Sequence, residues 1–303
     1  MITVLMSTYN GEKYLSEQLD SILRQEKVDL NIVVRDDCSS DRTNDILNEY
    51  SSRYENITVI KGKQNLGACG SFFSLVRNYS DSDFFALADQ DDVWDKDKLS
   101  IALKYLEDMD LSRPALYYSN LRIVNSNLNF IRNSHSTKHI AHNKYACLIE
   151  NLATGCTIVY NKSLAKISND VKPFEYSMHD AWLYQVATLF GKTVYDFEPH
   201  INYRVHGDNE VGTYLKFLGL KKSKQILKDI FDTKDHAIFK NAKIFYEEFE
   251  DRLNLEDKQE ILKVINYKDN MNEKIKLLKD KGMLTDSINR NFRFYLKTFL
   301  GTL

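Results

Sequence analysis

The chain has 303 residues, 43% hydrophobic and 28% charged, which is ordinary for a globular protein and long enough for one large α/β domain with an appendage. Its formal net charge of −2 excludes the overall basic character typical of a nucleic-acid-binding protein. The four cysteines form no Cys-x-x-Cys pair or zinc-binding spacing, so we expect reduced thiols and a cytoplasmic protein. We predict no signal peptide, because the N-terminus enters a strand at once without a basic and then apolar segment. We predict no transmembrane helix, because no run approaches about 18 apolar residues.

Strands and helices alternate along the first 110 residues or so. Short apolar runs predict four strands, at residues 2–6, 30–35, 57–60 and 84–88. Apolar residues at helical spacing follow each of them, and the last of these helices is predicted over residues 96–109. This alternation indicates βαβ units and a parallel sheet, and therefore the α/β class.

Polar motifs follow three of these strands. Ser7-Thr8-Tyr9-Asn10 comes after the first strand, Asp36-Asp37 after the second and Asp89-Gln90-Asp91-Asp92 after the fourth. In parallel sheets, ligands bind at the carboxyl ends of the strands. The sequence therefore predicts a ligand site at this edge of the sheet.

The densest of these motifs has five carboxylates within the nine positions from Asp89 to Asp97. Such a cluster repels itself unless it is solvated, protonated or bound to a cation. Asp95 and Asp97 lie where a helix should begin, and its positive end favours them. Asp89 and Asp91 emerge directly from an apolar strand, so a cation is the better explanation for that pair. Asp92 either ligates the ion or braces the turn.

The middle of the chain is less regular. We predict strands at residues 116–118, 122–124, 157–160, 194–197 and 201–204, a polar loop at 132–144 and a helix beginning near residue 177. From about residue 214 the pattern changes to long helices, so we predict a catalytic domain over residues 1–213 and a helical C-terminal region over 214–303.

Taken together, the ordered motifs resemble the family-2 glycosyltransferases over about residues 1–210. Asp89-Gln90-Asp91-Asp92-Val93-Trp94, His179-Asp180-Ala181-Trp182 and Tyr203-Arg204-Val205-His206 look most similar to the bacterial rhamnosyltransferases of that family. The resemblance implies the A-type glycosyltransferase fold, which is Rossmann-like, with a mostly parallel sheet flanked by helices. It also implies inversion at the anomeric centre, a nucleotide-diphosphate sugar donor and a requirement for Mn²⁺ or Mg²⁺.

On the donor side, the resemblance places Thr8 and Tyr9 beside a pyrimidine base, with Tyr9 offering a stacking face or packing at the strand end. Asp37 matches the aspartate that accepts a hydrogen bond from the base, which suits a carboxylate because the base N3–H is a donor. Asp36 is then either a contact to the ribose or a structural residue.

For the diphosphate and the metal, the resemblance assigns a metal ligand to Asp91 and a contact to the ribose, the metal or its waters to Asp89. Both carboxylates can face the nucleotide, because alternate residues of an extended backbone point the same way. Arg204 and His206 match a loop that closes over the diphosphate. Arg204 would pair with phosphate oxygens, and His206 would bind the metal or a phosphate, unless it is structural.

On the acceptor side, Asp180 matches the family's general base, which removes the proton from the attacking hydroxyl. His179 would orient that base or bind sugar, or lie at the surface. Trp182 would supply an apolar wall beside the sugar. Gly155 would admit the sugar close to the backbone or simply form a turn.

The C-terminal region carries no catalytic pattern. Residues 214–303 hold 19 Lys and Arg against 14 Asp and Glu, and basic residues mix with aromatic ones between Arg290 and Lys297. Lys221-Lys222-Ser223-Lys224 forms a second basic cluster. This composition suits a peripheral membrane contact near a lipid-linked acceptor, and equally a solvated appendage or an oligomer contact.

The predicted function is transfer of a sugar, with dTDP-L-rhamnose as the leading donor, to a glycan or lipid-linked glycan of a bacterial cell-surface polysaccharide. The enzyme would act in the cytoplasm or at the inner face of the membrane. One alternative is a UDP-hexose or UDP-N-acetylhexosamine donor. Another is a non-catalytic nucleotide- or glycan-binding protein. A dehydrogenase is disfavoured, because the first strand leads into Ser7-Thr8-Tyr9-Asn10-Gly11 and not into Gly-x-Gly-x-x-Gly.

Overall fold

The computed structural model describes residues 1–135, 143–169, 178–206, 237–285 and 287–303. The described residues form two compact units. The first contains residues 1–135, 153–169 and 178–206, and the second contains residues 143–152, 237–285 and 287–303.

A single mixed sheet forms the centre of the first unit. Its strands, in chain order from β1 to β9, are Ile2–Thr8, Leu30–Asp36, Ile57–Lys61, Phe84–Ala88, Val93–Trp94, Ala115–Asn125, Phe130–Asn133, Val159–Asn161 and Lys192–Val205. The strand order is β3-β2-β1-β4-β8-β6-β9-β5, and β7 pairs with residues 122–124 of β6. The strands β1 to β4 are mutually parallel, as predicted, whereas β8 runs antiparallel to both of its neighbours.

The register of the parallel strands places the predicted motifs side by side. Thr8 at the end of β1 lies opposite Asp36 at the end of β2, and Met6 lies opposite Ala88 at the end of β4. The residues that follow these strands therefore leave the sheet at one edge, which is where a ligand binds in such folds.

Two pairs of predicted strands are in fact single long strands. The strands predicted at 116–118 and 122–124 belong to β6, and those predicted at 194–197 and 201–204 belong to β9. The pairing of β6 with β9 shifts register around Ser119 and Asn120, which is where the apolar pattern is interrupted. A bulge therefore continues the strand through residues that look like a break in the sequence.

Six α-helices accompany the sheet in the described part of the first unit. In chain order, α1 to α6 are Leu15–Leu23, Thr43–Arg53, Gly67–Asn78, Lys98–Glu107, Lys162–Asn169 and His179–Phe190. Leu15, Leu19 and Ile22 of α1 are completely buried, as their spacing predicts. The predicted helix at 96–109 begins two residues later, at Lys98, with Asp97 immediately before it.

The second unit is helical where it is described. Its helices α7 to α10 are Ala237–Phe249, Leu255–Asn266, Met271–Lys279 and Ile288–Leu300. The side chains of Asn254 and Asn270 cap the first turns of α8 and α9 by accepting backbone hydrogen bonds. Residues 143–152 belong to this unit although they lie far from it in sequence, because Lys144 and Tyr145 both bind the carboxylate of Asp257.

Some predictions fall outside the described residues. These are the domain boundary at residue 213, the basic cluster at Lys221–Lys224 and most of the polar loop at 132–144. Among the helices that the structure does describe, none has the length and apolar character needed to cross a bilayer.

Candidate active site

The loop of residues 89–92, between β4 and β5, is held in place by side chains from the first part of the chain. The Gln90 amide accepts a hydrogen bond from the Tyr9 backbone N–H at 2.9 Å and donates one to the Tyr9 carbonyl at 3.0 Å. Gln18 donates to the Asp89 carbonyl at 2.9 Å. A Cβ atom on Gly11 would lie only 2.3 Å from the Gln90 amide oxygen, so a larger residue there would displace the Gln90 amide from this position.

Asp91 and His206 form the pair at the centre of this site. The His206 Nε2 atom lies 2.8 Å from an Asp91 carboxylate oxygen, and the imidazole ring packs beside Tyr14 with ring centroids 4.9 Å apart. Burial raises the pKa of Asp91 above its ordinary value, although the hydrogen bond and charge of His206 act in the opposite direction. The two predicted metal ligands are thus brought together from positions 115 residues apart.

Arg204 anchors the end of β9 to the same loop. It is 2% exposed, and its guanidinium donates to the carbonyl oxygens of Asp91 and Ser126 and to the carboxylate of Glu17. The structure therefore places Arg204 inside the protein and in a strand, and not on a loop open to a diphosphate. Its geometry is that of a residue that positions Asp91.

Beneath this pair lies a second group of acidic and thiol side chains. One ligand atom each of Asp89, Asp92 and Cys156 lies within 4.8 Å of the others. Burial raises the pKa of Asp92 well above its ordinary value, and repulsion from Asp91 and Asp89 adds to this. Burial also raises the pKa of the Cys156 thiol, with a further contribution from Asp92. Negative charge is therefore costly here in the absence of a cation.

The spacing of the Asp91 and His206 atoms suits two neighbouring ligands of a divalent metal ion. Two neighbouring ligands of an octahedral ion with bonds of about 2.1 Å lie about 3 Å apart, and the Asp91 oxygen and His206 nitrogen are 2.8 Å apart. Both carboxylates of the predicted Asp-x-Asp motif lie in this loop, with Asp89 half-buried and Asp91 9% exposed. Asp91 and His206 could therefore supply two ligands to Mn²⁺ or Mg²⁺, while the Asp89 carboxylate lies beside Asp92 and Cys156.

Asp180 lies at the start of α6, where two backbone N–H groups fix its carboxylate. Gly155 donates to one oxygen at 3.2 Å and Ala181 to the other at 2.7 Å. Gly155 opens the short 3₁₀ turn Gly155–Thr157, whose next residue is Cys156. This turn therefore contacts Asp180 on one side and the group of Asp89 and Asp92 on the other.

The two residues predicted beside Asp180 are buried. His179 is 5% exposed and stacks on Phe72 with ring centroids 4.2 Å apart, and burial lowers its pKa, so the neutral imidazole is favoured. Trp182 has no exposed surface. Residues two apart on a helix do not share a face, so the structure places Trp182 in the core and not at the wall of a sugar pocket.

The predicted base-binding residues divide into exposed and buried ones. Tyr9 is 50% exposed, which leaves its ring open to a stacking partner. Thr8 and Asp36 are buried and hydrogen-bonded to each other at 3.3 Å, and Asp36 also accepts from Ser39, which favours its structural interpretation. Asp37 is 1% exposed, where it pairs with Arg35 and accepts from the Leu66 N–H. A base contact by Asp37 would require the Leu66 segment to move, and that role stays a prediction.

Several residues of the site were not predicted from the sequence. Glu17 accepts a hydrogen bond from Arg204, and the Tyr14 ring lies 4.4 Å from the Arg204 guanidinium carbon. Gln90 bonds the loop of residues 89–92 to the backbone of Tyr9, and the Cys156 thiol lies beside the carboxylates of Asp89 and Asp92. Gln90 lies within the Asp89–Trp94 motif, but no local pattern marks Glu17, Tyr14 or Cys156, because each acts through a partner distant in sequence. Asp95, predicted as a helix-start residue, lies just before α4, where its carbonyl accepts from Lys98 N, and its carboxylate pairs with Arg122.

Comparison with known proteins identifies the family of this chain. The family model described as glycosyl transferase family 2 matches residues 3–167. The chain belongs to this glycosyl transferase family. A dTDP-rhamnosyl transferase of Shigella flexneri is 29% identical over 74% of the chain and 82% of its own length. A glucosyltransferase of Escherichia coli, whose name gives UDP-Glc as its donor and a GlcNAc-diphosphoundecaprenol acceptor, is 28% identical over 54% of the chain and 61% of its own length.

Solved structures of other glycosyltransferases share the fold of this chain. Staphylococcus aureus TarS in complex with UDP-GlcNAc has a TM-score of 0.55 at 16% identity, with 98% of this chain and 90% of that chain covered. A mannosyltransferase from Pyrobaculum calidifontis in complex with GDP-Man and Mn²⁺ has a TM-score of 0.51 at 14% identity, with 99% and 85% covered. The predicted A-type glycosyltransferase fold, with C-terminal helices, is confirmed.

Proposed function

We propose that this glycosyltransferase moves a sugar, with inversion, from a nucleotide-diphosphate donor to a glycan or lipid-linked glycan of a bacterial surface polysaccharide. The observation that carries the proposal is the turn Gly155–Thr157, which has Asp180 on one side and the carboxylates of Asp89 and Asp92 on the other. Asp180, the proposed general base, and the proposed cation-binding loop thus contact the same turn, and this proximity supports transfer from a diphosphate.

Asp180 would act as the general base. The acceptor hydroxyl gives its proton to the Asp180 carboxylate as its oxygen forms a bond to the anomeric carbon. The bond from that carbon to the diphosphate breaks, and the nucleoside diphosphate leaves with its electron pair. The N–H groups of Gly155 and Ala181 hold the carboxylate in one orientation during this step.

Asp91, with Asp89 and His206, would hold Mn²⁺ or Mg²⁺. When bound, such an ion acts as a Lewis acid that offsets the charge of the leaving diphosphate. Arg204 keeps the Asp91 backbone in place through its 2.8 Å hydrogen bond. On the donor side, the exposed Tyr9 ring would stack on the base, while Gln90 fixes the backbone of Tyr9.

Among donors, we infer dTDP-L-rhamnose first. The support is the similarity to the Shigella flexneri dTDP-rhamnosyl transferase over 74% of the chain. A UDP-hexose or UDP-N-acetylhexosamine is the alternative, since the Escherichia coli relative is named for UDP-Glc and the TarS complex contains UDP-GlcNAc.

A thermal-shift screen with and without Mn²⁺ tests the donor. A ligand that binds the native state at 100 times its Kd stabilises it by about 2.7 kcal/mol. We expect dTDP-L-rhamnose to raise the melting temperature more than UDP-glucose, UDP-GlcNAc or GDP-mannose. A larger effect of a UDP sugar would select the alternative donor, and binding of a sugar nucleotide without transfer to any glycan acceptor would favour the non-catalytic binding protein.

A further inference from the structure

The helix α10 carries large apolar side chains on its exposed side. Ile288 is 85% exposed, Phe292 63%, Tyr295 36% and Phe299 66%. Their spacing of four, three and four residues places them within an arc of about 60° on an ideal helix. Exposed aromatic and aliphatic side chains aligned in this way form a contact surface, which we call the α10 stripe (Ile288, Phe292, Tyr295 and Phe299).

The α10 stripe is separate from the face that the helix buries within its own unit. Phe294 is 3% exposed and Thr298 has no exposed surface, so these positions supply the packing. Ser287 caps the first turn by accepting from the Arg290 N–H, and Gly301 ends the helix in the left-handed conformation at φ 75°. The helix is thus defined by its caps and by its buried face, while Ile288, Phe292 and Phe299 of the stripe stay largely exposed.

The same helix is strongly cationic. Arg290, Arg293 and Lys297 follow one another at spacings of three and four residues, and α10 contains no acidic residue. One of the three, Arg290, pairs with Glu150 at 2.6 Å. An apolar stripe on a helix whose other charged residues are all basic is the arrangement of helices that lie in the plane of a membrane surface.

We infer that α10 docks on the surface of an anionic lipid bilayer, with Phe292 and Phe299 inserted among the acyl chains and the basic residues near the headgroups. Charge favours this partner, because Arg290, Arg293 and Lys297 form a basic polar face on the side of α10 opposite the stripe, and such a face suits anionic headgroups. The use of this surface by the enzyme rests on the proposed lipid-linked acceptor, whereas the docking itself requires no sugar.

Vesicle co-sedimentation of the full chain tests the inference. We expect binding to vesicles of phosphatidylcholine with phosphatidylglycerol at about 0.1 M NaCl, and weaker binding at about 1 M NaCl, where surface charges are screened. The double variant Phe292→Ser/Phe299→Ser should bind at least about tenfold more weakly, since it loses two large inserted side chains.

A matched control is available in the first unit. Phe130 and Ile131 are 61% and 55% exposed on β7, so Phe130→Ser/Ile131→Ser removes a similar apolar area elsewhere and should leave vesicle binding unchanged. Equal loss in both double variants, or no binding by the unmodified chain, would overturn the inference. So would a dimer seen by light scattering that the α10 variant alone abolishes.

A measurement of donor binding separates the test of the membrane surface from the test of the proposed function. Thermal shifts with nucleotide sugars should be the same in the α10 variant and in the unmodified chain. Absence of vesicle binding with normal donor shifts would reject only the membrane surface. Vesicle binding without any donor shift would leave that surface intact and reject the proposed transferase chemistry.

Discussion

Replacement of Asp180 by asparagine tests the proposed base with little change in shape. In the structure, the two carboxylate oxygens accept separately from Gly155 N at 3.2 Å and Ala181 N at 2.7 Å. An asparagine side chain offers an oxygen to only one of these donors and turns an NH₂ group towards the other. The lost hydrogen bond should cost about 1–3 kcal/mol, and each kcal/mol lowers the melting temperature of a domain of this size by about 2–4 °C.

The effect on activity should far exceed this effect on stability. Loss of a general base lowers the rate by about 10²–10⁴-fold, so we expect kcat for Asp180→Asn to fall at least about a hundredfold at saturating donor and acceptor. Donor affinity, measured by calorimetric titration with Mn²⁺, should be unchanged. Near-normal turnover in this variant would refute the assignment and move the base elsewhere.

Asp41→Asn is a control with a similar structural cost. Asp41 also accepts backbone hydrogen bonds on separate oxygens, from Thr43 N and Glu12 N at 3.0 Å each. It has no proposed part in the reaction. A comparable drop in melting temperature with kcat within a few-fold of normal would show that the loss in Asp180→Asn is chemical and not structural.

Three further predictions concern the loop of residues 89–92 and the buried Lys98 near Asp92. Asp91→Asn should abolish Mn²⁺-dependent donor binding in calorimetric titration and His206→Asn should weaken it, because these side chains supply the donor atoms 2.8 Å apart; unchanged affinity with Mn²⁺ would place the metal elsewhere. Gln90→Ala removes both hydrogen bonds to the Tyr9 backbone, so we expect donor affinity to fall about tenfold, at about 0.5–1.5 kcal/mol for each bond. Equal donor dissociation constants in the variant and the unmodified chain would show that these two hydrogen bonds do not contribute to donor binding. Burial lowers the pKa of Lys98 from 10.5 to about 8. Above about pH 8 the unfolded chain therefore binds more protons than the folded chain, so the free energy of unfolding should rise by about 1–2 kcal/mol between about pH 8 and pH 9.5. Denaturant titration would detect this rise, and Lys98→Met should lack it.

Most of the fold could be predicted from local patterns. Alternating apolar strands and amphipathic helices in the first 110 residues predict parallel βαβ units. The four predicted strands are present as β1 to β4, they are parallel, and the predicted polar motifs lie at one edge of the sheet. The merging of predicted strands into β6 and β9 could not be foreseen, because a bulge is decided by pairing with a distant strand. For the same reason, the association of residues 143–152 with the C-terminal helices leaves no local trace.

The site divides in a similar way. The sequence by itself singles out Asp91 and Asp180 as candidates for the chemistry, since they stand out by motif and by position after a strand or at the start of a helix. Only the tertiary structure decided what faces them. Arg204 and Trp182 have the residue types of ligand contacts but lie 2% and 0% exposed, whereas His206 comes within 2.8 Å of Asp91. Burial and partnership depend on contacts between residues more than 100 positions apart, and the local pattern of residue types does not encode them.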